Sequence, residues 1–276
     1  PGWGQETKGP MIIIVISTMT AIATLFVLAR VYSRLISLAR LGADDYLLVL
    51  SILLTIIYVG LDAVAISHGA GKHIATLPKD DVSKAIFYAI VASVPGILSF
   101  TLPKFAVVIL LVKVFNPGRW HRAFFWIISL LYLLGSVGGA ILNFVECTPA
   151  AAQWGDVKGV CWDRRILFSY AVAHGIFSVF FDFYLAIYPT IIISKLILNW
   201  KKKLALSLAL GFGYCAAAIS SYKCYTLRGL LAIQDFTFAV DDIILWTNIE
   251  SNCVIIGACI PCLYPLVKKI WGSTAL

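Results

Sequence analysis

The stretch that decides the fold is Asp235–Leu266, DFTFAVDDIILWTNIESNCVIIGACIPCLYPL. It has the length and apolar content of a membrane-spanning helix, which needs about 20 predominantly apolar residues. It also carries Glu250 inside that length, about two helical turns past an acidic lip at Asp241 and Asp242. An ionised side chain in hydrocarbon costs at least ~2.5 kcal/mol. Such a group has to face protein, water or a partner, so other helices must surround this one.

Helical geometry agrees. At about 100° per residue, Ile243, Trp246, Cys253, Gly257, Pro261 and Tyr264 share the face of Glu250. Asn248, Asn252 and Cys259 fall on the opposite face. Polar groups on two faces leave little room for lipid, which places this helix inside a bundle. Two readings of Glu250 stand side by side. It is a hydrogen-bonding group between helices, or it is functional, as intramembrane acids are by default.

The rest of the chain fits a membrane protein. Of 276 residues, 61% are hydrophobic and 13% charged, and the mean hydropathy is +0.91. Charged residues make up about a quarter of an ordinary soluble domain. The net charge of +8 does not indicate nucleic-acid binding, because the basic residues sit between apolar spans. The chain begins at Pro1 without Met, which is compatible with further segments at either end.

Seven apolar stretches are long enough to cross a bilayer, near 11–33, 45–67, 86–115, 123–145, 166–194, 204–226 and 241–267. They are too long and too little alternating for barrel strands. The expected fold is all-α, a seven-helix transmembrane bundle. It forms a single domain over 1–276, with short tails at 1–10 and 270–276.

Lys and Arg orient the bundle. With the N-terminus outside or lumenal and the C-terminus cytoplasmic, twelve basic residues face the cytoplasm, Arg30, Arg34, Arg40 and Lys113 among them, and nine face outward. The cysteines give a second indication. Cys147 and Cys161 flank the loop between spans four and five, which this topology puts on the oxidising side. A bridge closing that loop stabilises by roughly 3 kcal/mol in the chain-entropy model; two free thiols is the alternative. Cys215, Cys253, Cys259 and Cys262 lie in apolar spans and are read as packing residues. No Cys/His spacing suggests a metal site.

Several polar residues lie deep. Span three contains Pro95, Pro103 and Lys104, and its prolines are expected to kink the helix and free carbonyls. Lys104 and Asp182 of span five lie within about 5 Å in depth at ~1.5 Å per residue. A buried Lys–Asp pair is therefore expected. His174 is read as a hydrogen-bonded packing group. Tyr58 and Asp62 share a face of span two, and with Lys223 and Glu250 they are candidates for an outer polar cluster. The loop SHGAGKHIATLPKDD is either an outer lid or an ordinary solvated loop. In the first turn between helices, Gly42 ends span one and Asp44 or Asp45 caps the start of span two, where negative charge is favoured.

Taken together these residues resemble the fungal rhodopsin-like seven-helix family. That family includes Pth-type receptor-like proteins and membrane proteins of satratoxin-type gene clusters. The resemblance rests on Arg30, Tyr32 and Arg34; Gly42, Asp44 and Asp45; Gly69, Gly71 and His73; Lys104; Cys147, Trp154 and Cys161; and Asp182 and Pro189. Asp235, Thr237, Trp246, Ile249, Glu250, Cys259, Pro261 and Pro265 complete it. Lys223 is a departure, since the family usually has Arg there, and Arg and Lys differ in bidentate bonding.

No retinal cofactor is expected. A Schiff base needs a lysine in the middle of the last helix, and none lies between Val240 and Val267. The resemblance implies a receptor-like sensor with a polar interior, a small and largely apolar ligand, and a cytoplasmic signalling partner. Its ligand-binding candidates are Asp62, Lys104, Asp182, Lys223, Trp246 and Glu250. The short loops NPGRWHR and LNWKKK offer a signalling partner little surface. The alternative is an intramembrane cyclase or isomerase with Asp182 or Glu250 as proton donor. Phe180, Phe181, Tyr184 and Trp246 would then stabilise cations. A carrier is disfavoured, as no repeated half with broken helices is visible.

The topology is testable by glycosylation mapping. Acceptor sites introduced beside Lys8 and within 148–160 are expected to be modified, and one beside Lys202 is not. The reverse pattern would invert the bundle.

Overall fold

Every long apolar stretch forms a helix. The computed structural model describes residues 8–38, 40–72, 77–155, 157–195, 200–227 and 236–273. Its helices are α1 (Gly9–Leu38), α2 (Ala43–Ser67), α3 (Lys79–Phe115), α4 (Arg119–Val145), α5 (Arg164–Lys195), α6 (Trp200–Thr226) and α7 (Phe236–Ser273). All seven are long and apolar enough to cross a membrane. Of the residues singled out above, His73 and Asp235 lie outside the described residues, as do the side chains of Thr237, Asp241, Tyr264 and Pro265.

The helix ends follow local chemistry. α3 begins earlier than the hydropathy implies, because Pro78 precedes it and Asp80 and Asp81 sit in its first turn, where the helix dipole favours negative charge. It ends at Asn116, which is left-handed (φ 42°) and donates its N–H to Val112 O at 3.1 Å. α2 begins after Gly42, whose N–H donates to Asp45 Oδ2 at 2.8 Å. α3 runs through Pro95 and Pro103 without interruption. Pro103 has no N–H for the Ser99 carbonyl. Ser51 and Ser251 hydroxyls donate to that carbonyl instead, at 2.7 and 3.0 Å.

α7 is the centre of the bundle. Every residue from Glu250 to Cys259 is buried, as the two-sided polar pattern requires. α6 approaches it closely at Gly257, where a Cβ would lie 3.0 Å from Phe212 Cβ and 3.3 Å from the Ala209 carbonyl. α4 is peripheral. It buries Phe125, Ile128, Ser129, Tyr132 and Ser136 and leaves Leu130, Leu131, Leu134 and Ile141 exposed, as a lipid-facing helix does.

One end of the bundle carries a small hairpin that apolar content does not reveal. β1 (Cys147–Thr148) pairs antiparallel with β2 (Val160–Cys161), and Cys147 stands opposite Cys161. The two cysteines form a disulfide. Trp154, between them, packs edge-on against Phe87 of α3, with ring centroids 5.3 Å apart.

The opposite end holds an ionic lock. Arg30 of α1 is only 1% exposed, which corrects its assignment to the cytoplasmic surface charge. Its guanidinium donates to Asp45 Oδ1 at 2.6 Å, to Asp44 Oδ2, and to the Ala258 carbonyl of α7. Asp44 also accepts from Arg34 at 3.2 Å and from Lys113 of α3. Arg34 reaches Cys262 Sγ at 3.3 Å, and Ser33 Oγ donates to the Cys262 carbonyl at 3.0 Å. The Asp pair thus joins α1, α2 and α3, and Arg30 ties them to α7.

Asp44→Asn leaves three cations with one carboxylate between them. It is expected to destabilise the protein by about 3–5 kcal/mol, as breaking a buried pair does. Ser33→Ala, which removes one hydrogen bond at the same end, is expected to cost about 1 kcal/mol. Thermal unfolding in detergent compares them; equal effects would show that the lock contributes no more than a hydroxyl.

Candidate functional site

Four charges meet inside the bundle. Lys104 projects from α3, Asp182 from α5, Lys223 from α6 and Glu250 from α7. Lys104 Nζ donates to Asp182 Oδ2 at 2.9 Å and to Glu250 Oε1 at 3.0 Å. Lys223 Nζ takes the other oxygen, Glu250 Oε2. The sum is two positive and two negative charges, hence zero. Lys104 and Glu250 are both 0% exposed, so neutrality is what a low-dielectric surrounding demands.

Neutral groups complete the shell. Lys104 donates a third hydrogen bond to Ser178 Oγ at 2.8 Å. Ser178 is shared with Tyr132 OH at 3.2 Å and with Ser220 Oγ at 3.4 Å. The Lys104 ammonium stands 4.7 Å from the Tyr132 ring centroid, and Lys223 stands 5.0 Å from that of Phe100. His174 stacks on Tyr132 at 4.9 Å and bonds Ser136 Oγ through Nε2 at 3.3 Å. It is a hydrogen-bonded packing group, as read from the sequence.

The expected Lys104–Asp182 pair is therefore present but not isolated. Depth matching finds which charges share a level; it cannot find which of them face each other. Ser178 lies one helical turn before Asp182 on α5, and that spacing was the available signal for it. Tyr132 and Ser220 carried none. Of the expected outer cluster, Lys223 reaches Glu250, whereas Tyr58 OH lies 3.5 Å from the Ile244 carbonyl. Asp62, one turn from Tyr58, is buried but is not among the groups holding the Glu250 oxygens. Trp246 packs edge-on against Tyr222 at 4.8 Å, one turn before Glu250. Asp242 of the acidic lip pairs with Lys8 at 3.0 Å.

On the lock side of the charge network lies a cleft of about 120 Å³ between α3, α5, α6 and α7. Asp182 stands at one end. From there the wall runs past Leu185, Pro189, Val254, Gly257 and Ala258 to Pro261. Among the sequence-derived candidates only Asp182 lines it. Lys104, Glu250 and Lys223 form the layer behind.

A helical bundle crossing the membrane seven times around a neutral, buried ion network defines a polytopic membrane protein. A family described as the fungal rhodopsin domain matches residues 29–269, and the chain belongs to that family. It is similar to the polyenoic acids biosynthesis gene cluster protein Ba17b of Metarhizium anisopliae. They are 25% identical over 282 residues, covering 96% of this chain and 76% of that protein. It is also similar to the Fugralins biosynthesis cluster protein 2 of Gibberella zeae, at 24% over 180 residues, 62% of this chain and 44% of that protein. No solved structure matches.

The network predicts non-additive stability. Lys104→Met leaves a net charge of −1 and Asp182→Leu a net charge of +1, and each is expected to cost about 3–5 kcal/mol. The double variant keeps the neutral Lys223–Glu250 pair and is expected to cost less than the worse single change. Melting in detergent measures the cycle, and additive losses would show that the two residues are not coupled.

Proposed function

We propose that this protein is a receptor-like sensor that takes a small, largely apolar ligand into the cleft beneath Asp182 and reports it through α7. Ala258 carries this reading. It lines the cleft, and its carbonyl accepts Arg30 of the ionic lock. A ligand in the cleft therefore presses on the same turn of α7 that holds the lock. A ligand shifts such an equilibrium by the difference in its affinity for the two arrangements. The charge bias and the disulfide hairpin support an outer or lumenal N-terminus. The lock then faces the cytoplasm, where a signalling partner would meet it.

One observation favours a second reading, an intramembrane cyclase or isomerase. Both relatives are named for biosynthesis clusters. Asp182 would then be the acid, since it is the carboxyl on the cleft wall. Lys104 already holds that carboxylate, and two lysines hold Glu250. A carboxylate held by an ammonium carries no proton to give, so the geometry favours binding over acid catalysis.

Purification in mild detergent followed by mass spectrometry of copurified small molecules separates these readings. The native protein is expected to retain an apolar compound unchanged. Ala209→Phe, which places a ring on the cleft wall, is expected to lose most of it. Conversion of the compound on incubation would favour the enzyme, and no retained compound would count against both.

A further inference from the structure

We infer that the ligand of the cleft is a neutral hydrocarbon bearing a hydroxyl group, which donates its proton to Asp182. The inference rests on the reading of the cleft as a ligand site and goes on to the chemistry of what it takes.

Among its side chains the wall presents a single polar group, an acceptor. Among the described residues that line it, Asp182 alone has a polar side chain; the others are aliphatic apart from Phe115. Two of the lining residues, Pro189 and Pro261, lie inside helices. Each lacks the N–H that would bond the carbonyl four residues earlier, at Leu185 and Gly257. Those two residues also line the cleft. The contrast with α3 is informative, because there the carbonyl released by Pro103 receives two serine hydroxyls. A ligand matched to this wall is apolar and brings a donor for Asp182.

Charge decides which donor. The network behind Asp182 is already neutral, with Lys104 on Asp182 and both lysines on Glu250. A carboxylate ligand would bring a second negative charge against Asp182, and like charges in one site disfavour each other strongly. An ammonium would add an uncompensated positive charge in hydrocarbon, since Lys104 already occupies the carboxylate. A hydroxyl adds no charge and makes a charge-assisted hydrogen bond, roughly twice as strong as a neutral one.

Size sets how much of the ligand enters. The cleft volume of about 120 Å³ is smaller than the ~150 Å³ of an apolar cavity that admits one benzene ring. The hydroxyl-bearing end alone fits, and the remaining chain extends between the helices. Val114, at the far end of the wall, is 54% exposed, which gives the chain a way out of the bundle.

The test uses three probes with one carbon skeleton, geraniol, geranic acid and geranylamine. Each is loaded at equal membrane content into phosphatidylcholine nanodiscs holding the full chain at pH 7, and the melting temperature is read. Geraniol is expected to give a saturable rise of roughly 2–5 °C at ten times its half-saturating load, and the other two less than a third of that. Ala209→Phe is expected to abolish the rise. So is the charge-balanced Lys104→Met/Asp182→Leu variant, which serves if the former does not fold. A rise with geranic acid equal to that with geraniol would overturn the assignment in favour of recognition by Lys104. A larger rise with geranylamine would overturn neutrality. A geraniol rise that persists in both variants would place the effect outside the cleft and overturn the inference. No rise with any probe would overturn it as well, while a compound retained on purification would still uphold the cleft as a ligand site.

Discussion

The constraint on which the structure depends is charge neutrality inside the helical bundle. Four charged side chains from four helices share one buried site. Each ion is tolerable only with its partners in place, because an unpaired charge at this depth costs several kcal/mol. Lys104 holds both carboxylates, and Lys223 holds the second oxygen of Glu250. Each helix can meet this demand only at one rotation about its own axis. The network thereby sets which face of α3, α5, α6 and α7 turns inward, even where the surrounding leucines and valines would tolerate several rotations.

The second polar layer obeys a different balance. Arg30, Arg34 and Lys113 face Asp44 and Asp45, so the lock carries one excess positive charge. That excess is tolerated because the Lys113 side chain is about half exposed (48%), near the end of α3, where an ammonium can reach polar surroundings. α7 takes part in both layers, with Glu250 in one and the Ala258 carbonyl in the other. The cleft lies between them. Anything that fills it acts on the helix that links the two layers, whether the outcome is a signal or a reaction.

Membership of the fungal rhodopsin domain family agrees with this architecture and leaves its use open. Relatives 24–25% identical carry names that tie them to biosynthesis clusters. Ammonium groups engage both carboxylates here.

The sequence by itself determined the class, the number of helices and the depth of the main charges. Those properties are one-dimensional. Hydropathy sums over a window, and depth follows from rise per residue. It also pointed to the Cys147–Cys161 bridge, because both cysteines flank one loop, and to the central place of α7, because polar residues on two faces exclude lipid. Only the tertiary structure decided which charges meet. Glu250 shares Lys104 with Asp182 from 68 residues away, and no periodicity encodes the azimuth at which distant helices face each other. Arg30 reads as one more basic residue at a helix end, and only the packing of α1 against α2 and α7 buries it. The cleft belongs to neither level of pattern: it is the space left where small residues of α6 and α7 and the prolines of α5 and α7 fail to fill the gap beside α3.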